Sequence, residues 1–152
     1  SIVDLNHPSN HSRFVMWETG ISIIKDNLTF GVGDVDINMV YRMYRIPTVH
    51  GEGSHMHSNI FQILVNFGIT GFIAWLILMM YIFFRQIKLW IGSNKYEFLN
   101  ILALISIISM ISLQVSGLTE WNFGDAEFAA VFWFNSALAF LVGKFMLRGD
   151  NG

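Results

Sequence analysis

The sequence predicts an all-α, polytopic membrane protein: three transmembrane helices preceded by a periplasmic segment with amphipathic helices. Three observations carry this. Of the 152 residues, 53% are hydrophobic and only 13% are charged, whereas a soluble domain carries about a quarter charged residues. The apolar excess begins after Ile60, while residues 1–59 read as ordinary half-polar protein. That excess falls into three runs, each long enough to cross a hydrocarbon core of about 30 Å as a helix.

Taken in order, residues 1–12 hold Pro8 and several Asn, Ser and His, and read as a loop in which Ser12 caps the next helix. From Arg13 to Asn27, the apolar residues Phe14, Trp17, Ile21 and Ile24 recur at helical spacing, broadened by Val15 and Met16, among Arg13, Glu18, Lys25 and Asp26. This is an amphipathic helix too short and too polar to span a bilayer. The following N-L-T-F-G-V-G breaks it, and Gly31 and Gly33 permit a tight turn or a close backbone approach. Within residues 34–49, M-V-Y-R-M-Y-R predicts a short helix carrying Arg42 and Arg45 and stopped at Pro47.

The spans are Ile60 to Phe84, Phe98 to about Ser116, and Ala126 to Leu147. Lipid offers the backbone no partner, so each run must be helical. Residues 60–148 thus form a three-span membrane segment, and residues 1–59 a segment that carries the active-site loop. Arg85, Lys88 and Lys95 lie around the loop joining spans one and two, and Lys144 and Arg148 end span three, whereas 119–125 holds no Lys or Arg. Positive-inside bias places the 85–97 loop in the cytoplasm, and 1–59 and 119–125 on the periplasmic side. With neither an opening Met nor a signal peptide, the chain reads as the C-terminal part of a larger single membrane domain. The formal net charge of -2 gives no basis for a nucleic-acid partner, and the absence of cysteine excludes disulfides and thiolate chemistry.

Chemistry is sought where titratable side chains meet the membrane. The segment H-G-E-G-S-H-M-H, from His50 to His57, runs without a linker into the first span. His57 precedes a helix starting near Ser58 or Asn59. A helix N-terminus disfavours an imidazolium and welcomes an anion, so His57 is a candidate base beside a phosphate site. The alternative is an interfacial histidine bonded to backbone. His50, His55 and His57 with Glu52 offer a weaker metal-binding pattern, without cysteines or a helical His pair. Arg13, Arg42 and Arg45 are candidates to grip phosphate oxygens, with a headgroup-facing role as the alternative for Arg42 and Arg45. Asn66, Gln114, Asn135 and Ser136 are read as helix–helix hydrogen-bonding groups, and Glu120, Asp125 and Glu127 as a solvated acidic rim.

Two stretches carry a resemblance. His57-Ser58, nine residues, then Gly68-Ile69-Thr70-Gly71 is similar to the histidine motif of the O-antigen ligase and polymerase family of bacterial membrane glycosyltransferases. R-F-V-M-W at Arg13 and the N-x-x-F-G-V-G turn at Asn27–Gly33 resemble the same family's Arg-x-x-x-Trp helix and following turn, in the same order. The resemblance implies a metal-independent enzyme without cofactors. It would move a glycan from an undecaprenyl-diphosphate-linked donor to a hydroxyl of lipid A-core or another glycan acceptor, on the periplasmic face of the inner membrane. His57 would be the base and Arg13 would hold the diphosphate, with Arg42, Arg45, His55 and Asn59 as substrate-binding candidates. The alternatives are a glycan polymerase or protein O-glycan ligase of the same family, or a non-enzymatic metal-binding module of a transporter. Another arginine of the family lies upstream of the stretch matched here. Family members have many more spans, so the expected partners include membrane lipid and the missing N-terminal spans of the same protein, and the chain is not expected to act alone.

Overall fold

A computed structural model describes residues 8–44 and 55–149. They fold into five α-helices and a 3-10 turn: α1 (Pro8–Asp26), α2 (Ile37–Tyr44), α3 (Asn59–Gly92), α4 (Glu97–Ser116), the turn Asn122–Gly124, and α5 (Ala126–Gly149). No strand occurs among the described residues. α3, α4 and α5 are long and apolar enough to cross a membrane. Their outer faces are apolar and exposed, as at Ile77, Phe84, Phe98, Ile108, Phe134 and Phe145, which suits contact with lipid chains.

The described part forms two compact units. The first holds α1, α2, the start of α3 as far as Ala74, and Gly117–Trp121. Its core is Met16, Ile23, Ile37, Val40, Tyr41, Met56 and Val65. α1 begins at Pro8, so Ser12 lies inside the helix rather than capping it; proline suits a first helical turn, whose N–H has no partner in any case. The helix ends where Asn27 folds its side-chain amide back onto the Ile23 carbonyl, at 3.0 Å.

The buried face of α1 differs from the apolar stripe read in the sequence. Met16, Thr19, Gly20 and Ile23 face the core, while Phe14 and Ile21 are exposed. Close approach decides the face: a Cβ on Gly20 would lie 3.2 Å from Met56 Sδ and 3.6 Å from Phe61 Cδ1. Trp17 stacks on Phe61 at 5.4 Å and donates its indole N–H to the Met56 carbonyl at 2.8 Å, so α1 holds the segment just before α3. Asp36 caps the start of α2, its carboxylate accepting from the Asn38 N–H. The helix buries Ile37, Val40 and Tyr41 and leaves Arg42 exposed.

α3 is broken at Gly68 (φ 62°, ψ -164°). A break orphans carbonyls before it and N–H groups after it. Here the Leu28–Gly33 turn satisfies both sets. Val32 and Gly33 N–H donate to the Val65 and Asn66 carbonyls at 2.9 and 2.8 Å, and Ile69 and Thr70 N–H donate to the Leu28 and Thr29 carbonyls at 2.8 and 3.3 Å. The two backbones touch. A Cβ on Gly31 (φ 69°) would lie 2.4 Å from the Asn66 carbonyl carbon, and one on Gly68 would lie 2.6 Å from the Gly31 nitrogen. Both positions need glycine for space as well as for a left-handed conformation.

The second unit holds α3 from Trp75 onward, α4 and α5. Met79, Ile82, Met110, Leu113 and Phe132 form its core. Gln86 donates to Ser136 at 3.0 Å and Asn135 to Ser109 at 3.4 Å, between helices. Asn66 and Gln114 instead bond within their own helices, to Gln62 and Met110. α3 continues to Gly92, beyond the apolar run that ended at Phe84: polar side chains end a hydrophobic stretch without ending a helix.

Candidate functional site

α3 starts at Asn59, directly after His57 and Ser58. The entry is anchored by residues far away in sequence. Asn59 N–H donates to the Gly117 carbonyl at 2.7 Å, and Ser58 Oγ to the same oxygen at 3.4 Å. Gln62 accepts from the Met56 N–H at 2.7 Å. His57 itself has a left-handed backbone (φ 47°), uncommon for a residue with a Cβ and concentrated at sites that must aim a side chain.

What His57 meets is Glu120. Its Nδ1 lies 3.2 Å from Glu120 Oε2, while the Arg13 guanidinium bonds to Glu120 Oε1. One carboxylate therefore bridges the two side chains singled out in the sequence. With a carboxylate as acceptor, Nδ1 is the donor, and in the neutral ring the lone pair lies on Nε2. The three side chains are part-exposed, at 31% for Arg13, 28% for His57 and 45% for Glu120, so they are held in place and reachable.

His55 packs against His57 with ring centroids 4.1 Å apart. Burial, and then the nearby His57, hold the His55 imidazole below its ordinary pKa, with Glu120 acting weakly in the opposite sense. The folded state therefore takes up this proton less readily than the unfolded chain, so stability from His55 is fully present above the ordinary imidazole pKa and is lost as pH falls from there through the lowered folded-state value. Asn59 is buried at 1% exposure. Its N–H bond to Gly117 narrows the expected anion site, because the first amide of α3 is already taken. Arg42 lies exposed on α2; Arg45, His50 and Glu52 fall outside the described residues.

A family model described as O-antigen ligase matches residues 2–76. Through this stretch the chain belongs to the O-antigen ligase family. The O-antigen ligase match contains Arg13, Arg42, Arg45, His55, His57, Asn59 and both glycines of the backbone joint, whereas Glu120 lies beyond it. Curated proteins offer no match. Membership of the O-antigen ligase family makes the chain a membrane enzyme of the glycosyltransferase-like ligases, with lipid-linked glycan and acceptor as its general partners.

Glu120 corrects the reading of the acidic rim: it is engaged with Arg13 and His57 rather than simply solvated. The sequence signal was an acid in a loop without Lys or Arg, with nothing local to indicate its partners. His55, His57 and Glu120 also each offer one ligand atom within 4.8 Å of one another, a set able to hold a metal ion. It differs from the set expected in the sequence by taking Glu120 as its acid.

Proposed function

We propose that the protein is a metal-independent transferase that moves a glycan from undecaprenyl diphosphate to an acceptor hydroxyl, lipid A-core foremost, at the periplasmic face of the inner membrane. One observation carries the reading: Arg13 and His57 meet on the two oxygens of Glu120, inside a unit that holds the O-antigen ligase match as far as residue 74.

Glu120 orients His57 so that Nε2 takes the proton of the acceptor hydroxyl. The oxygen attacks the anomeric carbon of the donor sugar, the bond from that carbon to the diphosphate oxygen breaks, and undecaprenyl diphosphate leaves with the electron pair. Arg13 has donors to spare beyond its bond to Glu120 and holds the diphosphate as negative charge builds there. Arg42, Arg45 and His55 are proposed as further contacts to donor or sugar, while Asn59, bonded to Gly117, helps fix the loop. Polymerisation and transfer to protein use the same steps with another acceptor.

Arg13→Lys tests the reading. It keeps the charge and loses the planar fork, so turnover is expected to fall by about tenfold or more, the worth of roughly 1.4 kcal/mol. The measurement is a reconstituted full-length protein assayed across concentrations of purified lipid-linked donor. Full recovery at high donor would reduce Arg13 to recruitment, and a wild-type rate at every concentration would remove it from the site. Glu120→Gln should lower turnover about 10–100-fold, as loss of an orienting partner does; an unchanged rate would show that the carboxylate does not orient His57. The ligand set His55, His57 and Glu120 favours a second reading, a metal-dependent site. Activity abolished by a chelator and restored by zinc would establish it in place of the first.

A further inference from the structure

In the second unit, the last turns of α3 and the late part of α5 border a cavity of about 620 Å³, well within the ~300–1,000 Å³ of small-molecule sites. Among the described residues, three cations line it: Arg85 and Lys88 from α3, and Lys144 from α5. No carboxylate among the described residues lines it, and its apolar side is Leu89 and Phe140. Two glycines shape it. At Gly143 the helices are so close that a Cβ would lie 2.6 Å from Leu89 Cδ1, while at Gly92 a Cβ would meet open space. Arg85 lies 5.9 Å over the ring of Tyr81, itself 59% exposed.

Positive-inside bias explains cations at the end of a span. It does not explain why cations from two helices converge on one concave space with an apolar wall. A ligand with a phosphate and attached acyl chains fits both halves: Arg and Lys take the phosphate, and the chains run along the exposed apolar faces of α3 and α5. We propose that this cavity binds the headgroup phosphate of an anionic phospholipid. The proposal stands independently of the transferase reading.

The test uses the purified full-length protein, with lipid retention read by native mass spectrometry after exchange into phosphatidylglycerol or phosphatidylcholine. Phosphatidylglycerol should be retained in preference. Lys88→Gln/Lys144→Gln should weaken its retention by at least about tenfold, from two cations near the surface. Lys25→Gln/Lys95→Gln removes the same charge outside the cavity and should change retention less than twofold. Gly92→Leu fills the cavity without altering charge and should also weaken retention. Equal losses in the two double variants would reduce the effect to bulk charge and overturn the proposal, as would full retention in Gly92→Leu. Glycerol phosphate, which has no acyl chains, should not compete at equal concentration; if it does, the ligand is a soluble phosphate and not a lipid.

Discussion

Replacing His57 by alanine is expected to lower glycan transfer by about 10²–10⁴-fold, the usual contribution of a positioned general base, with little change in the thermal melt of the detergent-solubilised full-length protein. The side chain is 28% exposed and its contacts are to Glu120 and the His55 ring rather than to the hydrophobic core, so little packed volume is lost. His57→Asn refines the test. The backbone at this position is left-handed (φ 47°), which asparagine tolerates better than alanine does. It should fold at least as well as the alanine variant and remain equally inactive, because an amide cannot accept the proton. Transfer at more than about a tenth of the wild-type rate in either variant would remove His57 as the base.

The second large effect is on folding. Gly68→Ala and Gly31→Ala should each destabilise the protein on the order of 3 kcal/mol or more, since both place a Cβ on backbone atoms and impose a strained conformation. The clashing atoms, 2.4–2.6 Å away, belong to main chain tied by hydrogen bonds on both sides, so they have nowhere to go. Gly33→Ala supplies the control. Its φ of 86° is as unfavourable, yet its Cβ would meet nothing within 4 Å, leaving only the conformational cost of roughly 1–2 kcal/mol. Equal melting temperatures for Gly31→Ala and Gly33→Ala would mean that the close approach contributes nothing.

The fold was legible where the relevant physics is local. Hydropathy along a helix is such a property, and the starts of α4 and α5 fall within a residue of the expected spans. The face of α1 was not legible in the same way. Apolarity points to Phe14 and Ile21, whereas burial follows the neighbour, and the neighbours Met56 and Phe61 come against Gly20. In the site, His57 and Arg13 stood out by chemical type and motif. Their meeting did not, because it is made by Glu120, 107 residues from Arg13 and 63 from His57, and a pairing over that separation leaves no periodic trace. Gly31 was legible as permission for a tight turn or close approach, but not as the partner of Gly68.

The joint at Gly31 and Gly68 also makes the motif a ruler. Arg13 sits on the helix that runs into one side of it, and His57 precedes the helix segment that runs into the other. Four main-chain bonds fix the registration of the two. Each residue inserted between His57 and Gly68 would turn the helix entry by about 100° and shift it by about 1.5 Å, carrying the imidazole away from Glu120 while every side chain of the site remained present. A substitution along Ile60–Phe67 changes the contacts of one side chain, whereas an insertion or deletion displaces the whole helix entry: chain length is constrained here in addition to residue identity.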